Sequence, residues 1–564
     1  MKRSDSITGL ILPLAVGLCF CVPVQAVESS TDASTGQLVI PSDRMDYHLP
    51  DITEASEASE KGLELGRKQD DGEQIKYHSR VLERIGMVRR PQQITLSLEE
   101  AIERALANSF IIDIKRFNPA IETTRVVEAE AAFDSVFFTN ATKNKIDRPT
   151  GSELAASQMD IFNLDVGLRK LLPTGAQVGA TYGLQRQWTA FQYQTVNPEY
   201  FSDLALELRQ PLLRGFGLDY NRSLIRIADN NRRISVSEFR RQVRDTLRQV
   251  EELYWGLVYA RRNVVITARV LADYEEMYDY SWARREFDIT PVQIASVKAN
   301  VEQSVAAFVQ VRSDLLDAED RLIAALNDPE LDLADDIEII PTGSPSLDHI
   351  VVDRVAEAQV ALDNRPEVHE GQLRISNAKI AVGRAKIDQL PKLDTVFSYT
   401  VDGLAGTADS SFDQMSTHNF VEYYIGVNFE VPIGNRSARA AHHRARLQYS
   451  QALASLKATL EEVILDVNVT VRRLETRYDQ IGPSFELAEA RDREVTSVVA
   501  RAERKDLATL NTELSARQNL ANARRTLLNS MIDYNLSMVD LERAKGTLLQ
   551  FYNVVLSEDQ PEQE

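Results

Sequence analysis

The stretch from Asn435 to Ile481, NRSARAAHHRARLQYSQALASLKATLEEVILDVNVTVRRLETRYDQI, decides the fold. It follows a glycine turn at Ile433-Gly434-Asn435 and meets no proline before Pro483. Its apolar residues step by three and four: Leu453, Leu456, Leu460, Val463, Val467, Leu474, Tyr478 and Ile481. A second series follows at Leu514, Leu520, Leu527, Met531, Tyr534, Met538, Leu541 and Leu548. Steps averaging 3.5 are the period of a coiled-coil seam. The first run, Asn435 to about Arg504, predicts a helix of roughly 100 Å at 1.5 Å rise per residue. Few soluble domains need so long a rod, and the remainder of the chain has to account for it.

Lys2 and Arg3, the apolar run Ile7 to Val22, and Val24-Gln25-Ala26 read as a signal peptide over residues 1–26 with a small-residue cleavage site. The competing reading, a membrane anchor, needs a longer apolar run. Cys19 and Cys21 are the only cysteines and both lie in this leader, which excludes disulfides, thiol catalysis and cysteine metal sites from the mature chain. The formal net charge is −20, and removing Lys2, Arg3 and Asp5 takes it to −21. Such a balance argues against nucleic acid or anionic lipid as the general partner. No later apolar stretch reaches 18 residues, so an exported chain of this kind can enter a membrane only as a β-barrel.

Residues 27–92, rich in Ser, Asp, Glu, Thr and Gly, read as a mobile N-terminal extension, with a short helix around Ser79–Met87 as the one candidate for docking. The alternative for this extension is a partner-binding arm. Leu96-Ser97-Leu98-Glu99-Glu100 then opens a helix with the spacing of a capping box, and a second helix is expected from about Pro119 to Phe133. Period-2 alternation follows in Val136–Asn144, Ile161–Lys170, Gln177–Gln185 and Leu204–Leu208, each with one apolar and one polar face. A soluble sandwich and a transmembrane barrel both fit that alternation. Long helical pattern resumes from Asn221 to about Arg285, breaks at Phe287-Asp288-Ile289-Thr290-Pro291, and continues to Leu326. Residues 330–347 read as a linker.

The plan then repeats. Ala361-Leu362-Asp363-Asn364 echoes Ala105-Leu106-Ala107-Asn108, and Leu393-Asp394-Thr395-Val396-Phe397 echoes Phe133-Asp134-Ser135-Val136-Phe137. Asn435-Arg436-Ser437 echoes Asn221-Arg222-Ser223, and the break at Lys505-Asp506-Leu507 echoes the one at Asp288. Four echoes in one order indicate an internal duplication. The first repeat covers 93–329, with strands at about 134–212 and a helical hairpin at about 221–326. The second covers 348–551, with strands at about 393–431 and a hairpin at about 435–550, before an acidic tail at 552–564. The offset between repeats drops from 260 at Asp134 and Asp394 to 214 at Asn221 and Asn435, so the first half carries 46 extra residues. These hold the Ile161–Gln185 hairpin. Only two strands fit the second half, Thr395–Asp402 and Val421–Val431.

Helix, strands, long helix, break and returning helix, given twice, resemble the TolC-like outer membrane efflux protein family, the outer membrane factors of tripartite efflux and type I secretion systems. The resemblance covers about residues 94–551. It rests on Val431-Pro432-Ile433-Gly434-Asn435-Arg436, on Leu541-Glu542-Arg543-Ala544-Lys545-Gly546-Thr547-Leu548, on Leu520-Ala521-Asn522-Ala523-Arg524, and on Leu96-Ser97-Leu98-Glu99-Glu100-Ala101. It implies a mostly α fold with transmembrane β: a long α-helical coiled-coil barrel plus a β-barrel shared by the three chains of a homotrimer. It implies location in the outer membrane, contact with its lipid, and a helical tunnel in the periplasm whose tip meets a periplasmic adaptor protein and an inner-membrane pump. The function implied is export, with no enzyme activity, no cofactor and no metal. Family members take four strands per chain, whereas six are expected here, giving about eighteen around the ring unless the extra hairpin folds outside the barrel or over its mouth.

The tip and adaptor contact are expected at Phe287, Asp288, Ile289, Thr290, Arg504, Lys505, Asp506 and Leu507. Candidate aperture-lining residues are Glu503, Thr512, Glu513 and Ser515. Thr512 and Ser515 stand where the family has acidic residues, so a carboxylate ring at those two positions is not expected. Other motifs lead nowhere: His442 and His443 are adjacent and diverge on a helix, and Gly215-Phe216-Gly217 lacks a βαβ frame. The alternative function is a soluble periplasmic coiled-coil adaptor or scaffold protein, but the paired lipoyl-like half-motifs of an adaptor are absent. An enzyme carried on a coiled coil has no nameable site residues.

Overall fold

The computed structural model describes residues 49–69, 71–151, 156–191, 193–287, 289–332, 337–501 and 507–556. The expected leader, Asp288, Glu503, Arg504, Lys505, Asp506 and the last part of the acidic tail lie outside the described residues.

In chain order, α1 (Ile52–Gln69) and α2 (Gly72–Gly86) precede β1 (Gln92–Leu96), α3 (Leu98–Asn108) and α4 (Phe110–Glu130). Four strands follow: β2 (Ser135–Asp147), β3 (Gln158–Leu171), β4 (Gln177–Thr189) and β5 (Glu199–Pro211). A single turn, α5 (Leu218–Asn221), leads into α6 (Ser223–Ala283) and its return helix α7 (Pro291–Leu326). The second half runs β6 (Ile337–Pro341), α8 (Arg354–Asn364), α9 (Pro366–Asp388), β7 (Lys392–Ala405), α10 (Ala408–Ser416) and β8 (Val421–Glu430). It closes with α11 (Arg436–Arg501), α12 (Leu507–Lys545) and α13 (Leu548–Phe551).

The 3.5-residue seam becomes α11, 66 residues long and therefore roughly 100 Å. Its counterpart α6 has 61 residues. Local signals place three of the helix starts. Ser97 and Glu100 form the reciprocal cap expected of them, at 3.1 and 2.9 Å. Thr290 caps α7 with Gln293 and is followed by Pro291 at the first helical position. Gly434 and Asn435, at φ of 86° and 41°, make the left-handed corner between β8 and α11.

β2, β3, β4, β5, β7 and β8 form one antiparallel sheet in that order. β3 and β4, the extra hairpin, are hydrogen-bonded into its middle rather than folded outside it. The two halves of the chain meet where β5 pairs with β7, from Tyr200–Ala405 to Pro211–Asp394.

Residues 49–86 depart from the expectation of a mobile extension. Leu49, Ile52, Ala55, Val81 and Ile85 are buried in the same core as Val250, Tyr254 and Leu257 of α6. The face that α1 buries includes Ser56, Ser59 and Gly66, small residues that pack closely but give no apolar periodicity to read. The expected linker 330–347 contains β6, which pairs in parallel with β1. The start of the expected tail is also packed: Tyr552, Val554 and Leu556 lie against Val243, Leu247 and Leu548. The helix expected from Pro119 begins earlier, at Phe110, with Pro119 in its interior.

Candidate functional site

Two regions carry chemistry: the faces of the large sheet and the seam between the helical hairpins near their breaks.

Side chains alternate across a sheet, and the register assigns them. One face collects Phe137 and Ala141 of β2, Leu164, Val166 and Leu168 of β3, and Val178, Ala180, Tyr182 and Leu184 of β4. It continues through Leu204, Leu206 and Leu208 of β5 and Phe397, Tyr399 and Val401 of β7 to Val421, Tyr423, Ile425, Val427 and Phe429 of β8. The five on β8 are between 44% and 74% exposed, a surface unsuited to water. The other face is polar. Asp165, Asp203 and Asp402 stand in one row across it, with Gly183 between the first two. Gly183 leaves room for the Asp203 carboxylate, since a Cβ there would stand 2.3 Å from it and push it aside. At the sheet base the Nε of Arg209 donates to Asp394 at 2.9 Å.

α10, which the sequence reading did not anticipate, lies on the apolar face. Ser411 Oγ sits 2.7 Å from Ser202 Oγ, and Phe412 packs edge-on against Tyr182. Gly403 permits this approach: a Cβ would meet the Ser411 carbonyl at 2.1 Å.

At the other end of the rods, α6 stops at Ala283 and a turn through Phe287 leads to α7. Phe287 is 84% exposed, Ile289 is buried, and Thr290 is committed to its cap. Leu507 opens α12. Of the candidate aperture residues, Thr512 and Ser515 are exposed. Glu513 is buried and turned toward its own chain, accepting from Arg517 at 2.6 Å. Arg517 also donates to Asp273 of α6. Burial opposes charge on Arg517, but Asp273 and Glu513 hold it firmly protonated. Burial pushes the Asp273 carboxyl up to about 7, with Arg517 pulling it down. Farther from the break, Arg525 ties α12 to α6 through Asn263 and Thr267, at 2.7 and 2.9 Å.

α2 lies over this seam. Arg80 pairs with Asp279 at 2.7 Å and Arg84 with Glu275 at 2.8 Å. Tyr77 is half-buried against Asp273, and desolvation of its hydroxyl holds it well above the usual phenol range. A cavity of about 200 Å³ remains between α2, α6 and α12, lined by Lys76, Tyr77, Asp273, Tyr280 and Arg517 among others. Among the described residues no group of His, Cys, Asp or Glu could hold a metal ion, and no helix is long and apolar enough to cross a membrane.

Paired long helical hairpins attached to an amphipathic antiparallel sheet are the fold to be matched with known proteins. Residues 358–547 match the family model described as Outer membrane efflux protein. A sequence comparison with curated proteins found no match. Among solved structures, the chain is similar to the outer-membrane channel OprN at 15% identity, TM-score 0.59, over 80% of this chain and 90% of that one. The Campylobacter jejuni CmeC outer membrane channel gives 16% identity and 0.59, over 80% and 86%. The Vibrio cholerae outer membrane protein VceC gives 16% and 0.58, over 80% and 96%. At these identities the likeness is one of fold.

Proposed function

We propose that the protein is an outer membrane channel-tunnel, closed by three copies of the chain, that exports substrates delivered across the periplasm. The observation that carries this reading is the six-stranded sheet with one apolar face and two unpaired edges, β2 and β8. Open edges are not tolerated in hydrocarbon. β2 and β8 run in opposite directions, so β8 of one copy pairs antiparallel with β2 of the next and the ring closes at eighteen strands. The apolar face then meets lipid and the row of Asp165, Asp203 and Asp402 faces the lumen.

The helices support the same assembly. Phe110, Ile114, Phe117 and Ile121 form a stripe along α4, each 50% to 65% exposed in the single chain. Spacing of three and four puts them on one face, and a neighbouring copy covers them. The two hairpins, which we read as an internal duplication, then wall a periplasmic tunnel. Its tip, at Phe287, Asp288, Ile289, Thr290 and Arg504, Lys505, Asp506, Leu507, receives a periplasmic adaptor coupled to an inner-membrane pump. Thr512 and Ser515, with Glu503, line the aperture, while Glu513 works from behind through Arg517.

The test is single-particle imaging of detergent-extracted protein together with conductance in planar bilayers. A trimer with eighteen strands and discrete channel steps is the expected result. A monomer released without detergent, silent in bilayers, would overturn it.

A further inference from the structure

We propose that Lys143, Lys145 and Arg186 form a binding site for the phosphates of a phosphorylated glycolipid in the outer leaflet, a proposal that rests on the barrel reading above. Along β2 the lipid-facing positions run Phe137, Thr139, Ala141, Lys143, Lys145; along β4 they run Val178, Ala180, Tyr182, Leu184, Arg186, Trp188. Both strands thus pass from apolar to basic on the same face, in the direction away from the helical rods. The register aligns the change. Lys143 is opposite Phe162 and Phe162 is opposite Arg186; one row farther out, Lys145 is opposite Asp160 and Asp160 opposite Trp188. Two strand spacings separate the lysines from Arg186, about 10 Å, a span that one phosphorylated sugar headgroup bridges.

Basic side chains pointing to lipid are costly at mid-bilayer and nearly free at the interface. These rows therefore sit where acyl chains give way to phosphates. Trp188, 37% exposed, suits the same level, where indole rings settle. Lys143 is shared with Asp160 at 3.6 Å, but Lys145 and Arg186 have no ion pair among the described residues. This local excess of positive charge stands in a chain whose net charge is −20, so it is not a reflection of composition. The neighbouring strands do not share it: over β5 and β7 the same height is covered by α10, whose exposed Asp409 and Asp413 repel phosphate. An acyl layer followed by phosphate is what the order apolar then basic complements, and no soluble anion offers both.

The test uses the full-length protein in detergent, titrated with purified diphosphoryl lipid A or with the same lipid enzymatically dephosphorylated, and bound lipid is counted by native mass spectrometry. The wild type retains the diphosphoryl lipid and loses most of it when the phosphates are removed. The triple variant K143Q/K145Q/R186Q binds roughly 100-fold more weakly, with its thermal unfolding and conductance unchanged. Single variants K145Q and R186Q, each giving partial loss, keep the test valid if the triple variant does not assemble. Equal retention of both lipids by the wild type, or equal retention by wild type and variants, overturns the proposal. Failure of the protein to enter a bilayer at all refutes the channel reading instead, and shows as absent conductance before any lipid is added.

Discussion

Arg517 of α12 donates simultaneously to Asp273 of α6 and to Glu513 one turn earlier on its own helix, and this part-buried contact joins the two helical hairpins beside their breaks. Removing one member of a charge pair leaves the other undercompensated, and because Arg517 keeps some exposure the cost falls below that of a fully buried pair, roughly 2–3 kcal/mol. R517A is therefore expected to loosen α12 from α6 and raise single-channel conductance in planar bilayers. An R517A channel with wild-type conductance and noise would show that the pair does not hold the tip.

The α4 stripe predicts an assembly defect. F110Q/I114Q/F117Q replaces three exposed apolar side chains by polar ones, which costs an isolated chain little. If the stripe is an intersubunit contact, the variant elutes as a monomer in light-scattering chromatography while far-UV circular dichroism stays helical. A stable trimer from this variant would remove the stripe from the interface.

Much of this architecture was legible in the sequence because it is periodic. The 3.5-residue steps gave α11, and period-2 alternation located all six strands of the large sheet. What was not legible lacks periodicity or depends on distant partners. α1 buries Ser56, Ser59 and Gly66, which read as linker composition. Five-residue β1 and β6 are strands only because they pair with each other across 245 residues of chain. α10 is nine residues of mostly polar sequence, docked by Gly403 and Ser202. Glu513 stands among the residues expected at the aperture, and its burial on Arg517, which also donates to Asp273 244 residues away in the chain, has no signature in the local sequence.

The docking of the first helical pair depends on Asp51. Its carboxylate accepts from Arg261 Nε and Nη2, each at 3.2 Å, while Arg261 is fully buried and also donates to Glu338 at 3.0 Å. D51A leaves Arg261 underpaired. Because Asp51 retains some exposure, the loss falls below that for a fully buried pair, roughly 2–3 kcal/mol. Faster limited proteolysis between residues 49 and 87, with the rods still protected, is the expected signature. Uniform destabilisation of the whole chain would contradict a local anchor.

Glu251 makes stability depend on pH. Burial pushes its carboxyl up to about 7, against the hydrogen bonds donated by the Tyr552 hydroxyl and, at 3.3 Å, by Trp255 Nε1. A carboxyl whose pKa is raised by folding binds its proton more tightly in the folded state. Its contribution is full below the ordinary carboxylate range and is lost as pH rises toward about 7, at about 1.4 kcal/mol per unit. E251Q, which keeps an acceptor but cannot ionise, should match wild type in unfolding temperature at pH 5 and exceed it at pH 8. Parallel curves at both pH values would assign the titration elsewhere.

In the proposed trimer, the row of Asp165, Asp203 and Asp402 faces the lumen. Three copies would then place nine carboxylates around the barrel, and rings of carboxylates favour cations in a pore. The glycine at position 183 gives the Asp203 carboxylate its place in the row, because a side chain there would displace it. D165N/D203N/D402N preserves shape and removes charge. Under a potassium chloride gradient, the wild-type reversal potential should lie on the cation-selective side and that of the variant should move toward zero, with the shift shrinking at high salt as screening takes over. Selectivity that survives all three substitutions would place the filter in the helical tunnel, where the tip carries its own acidic groups.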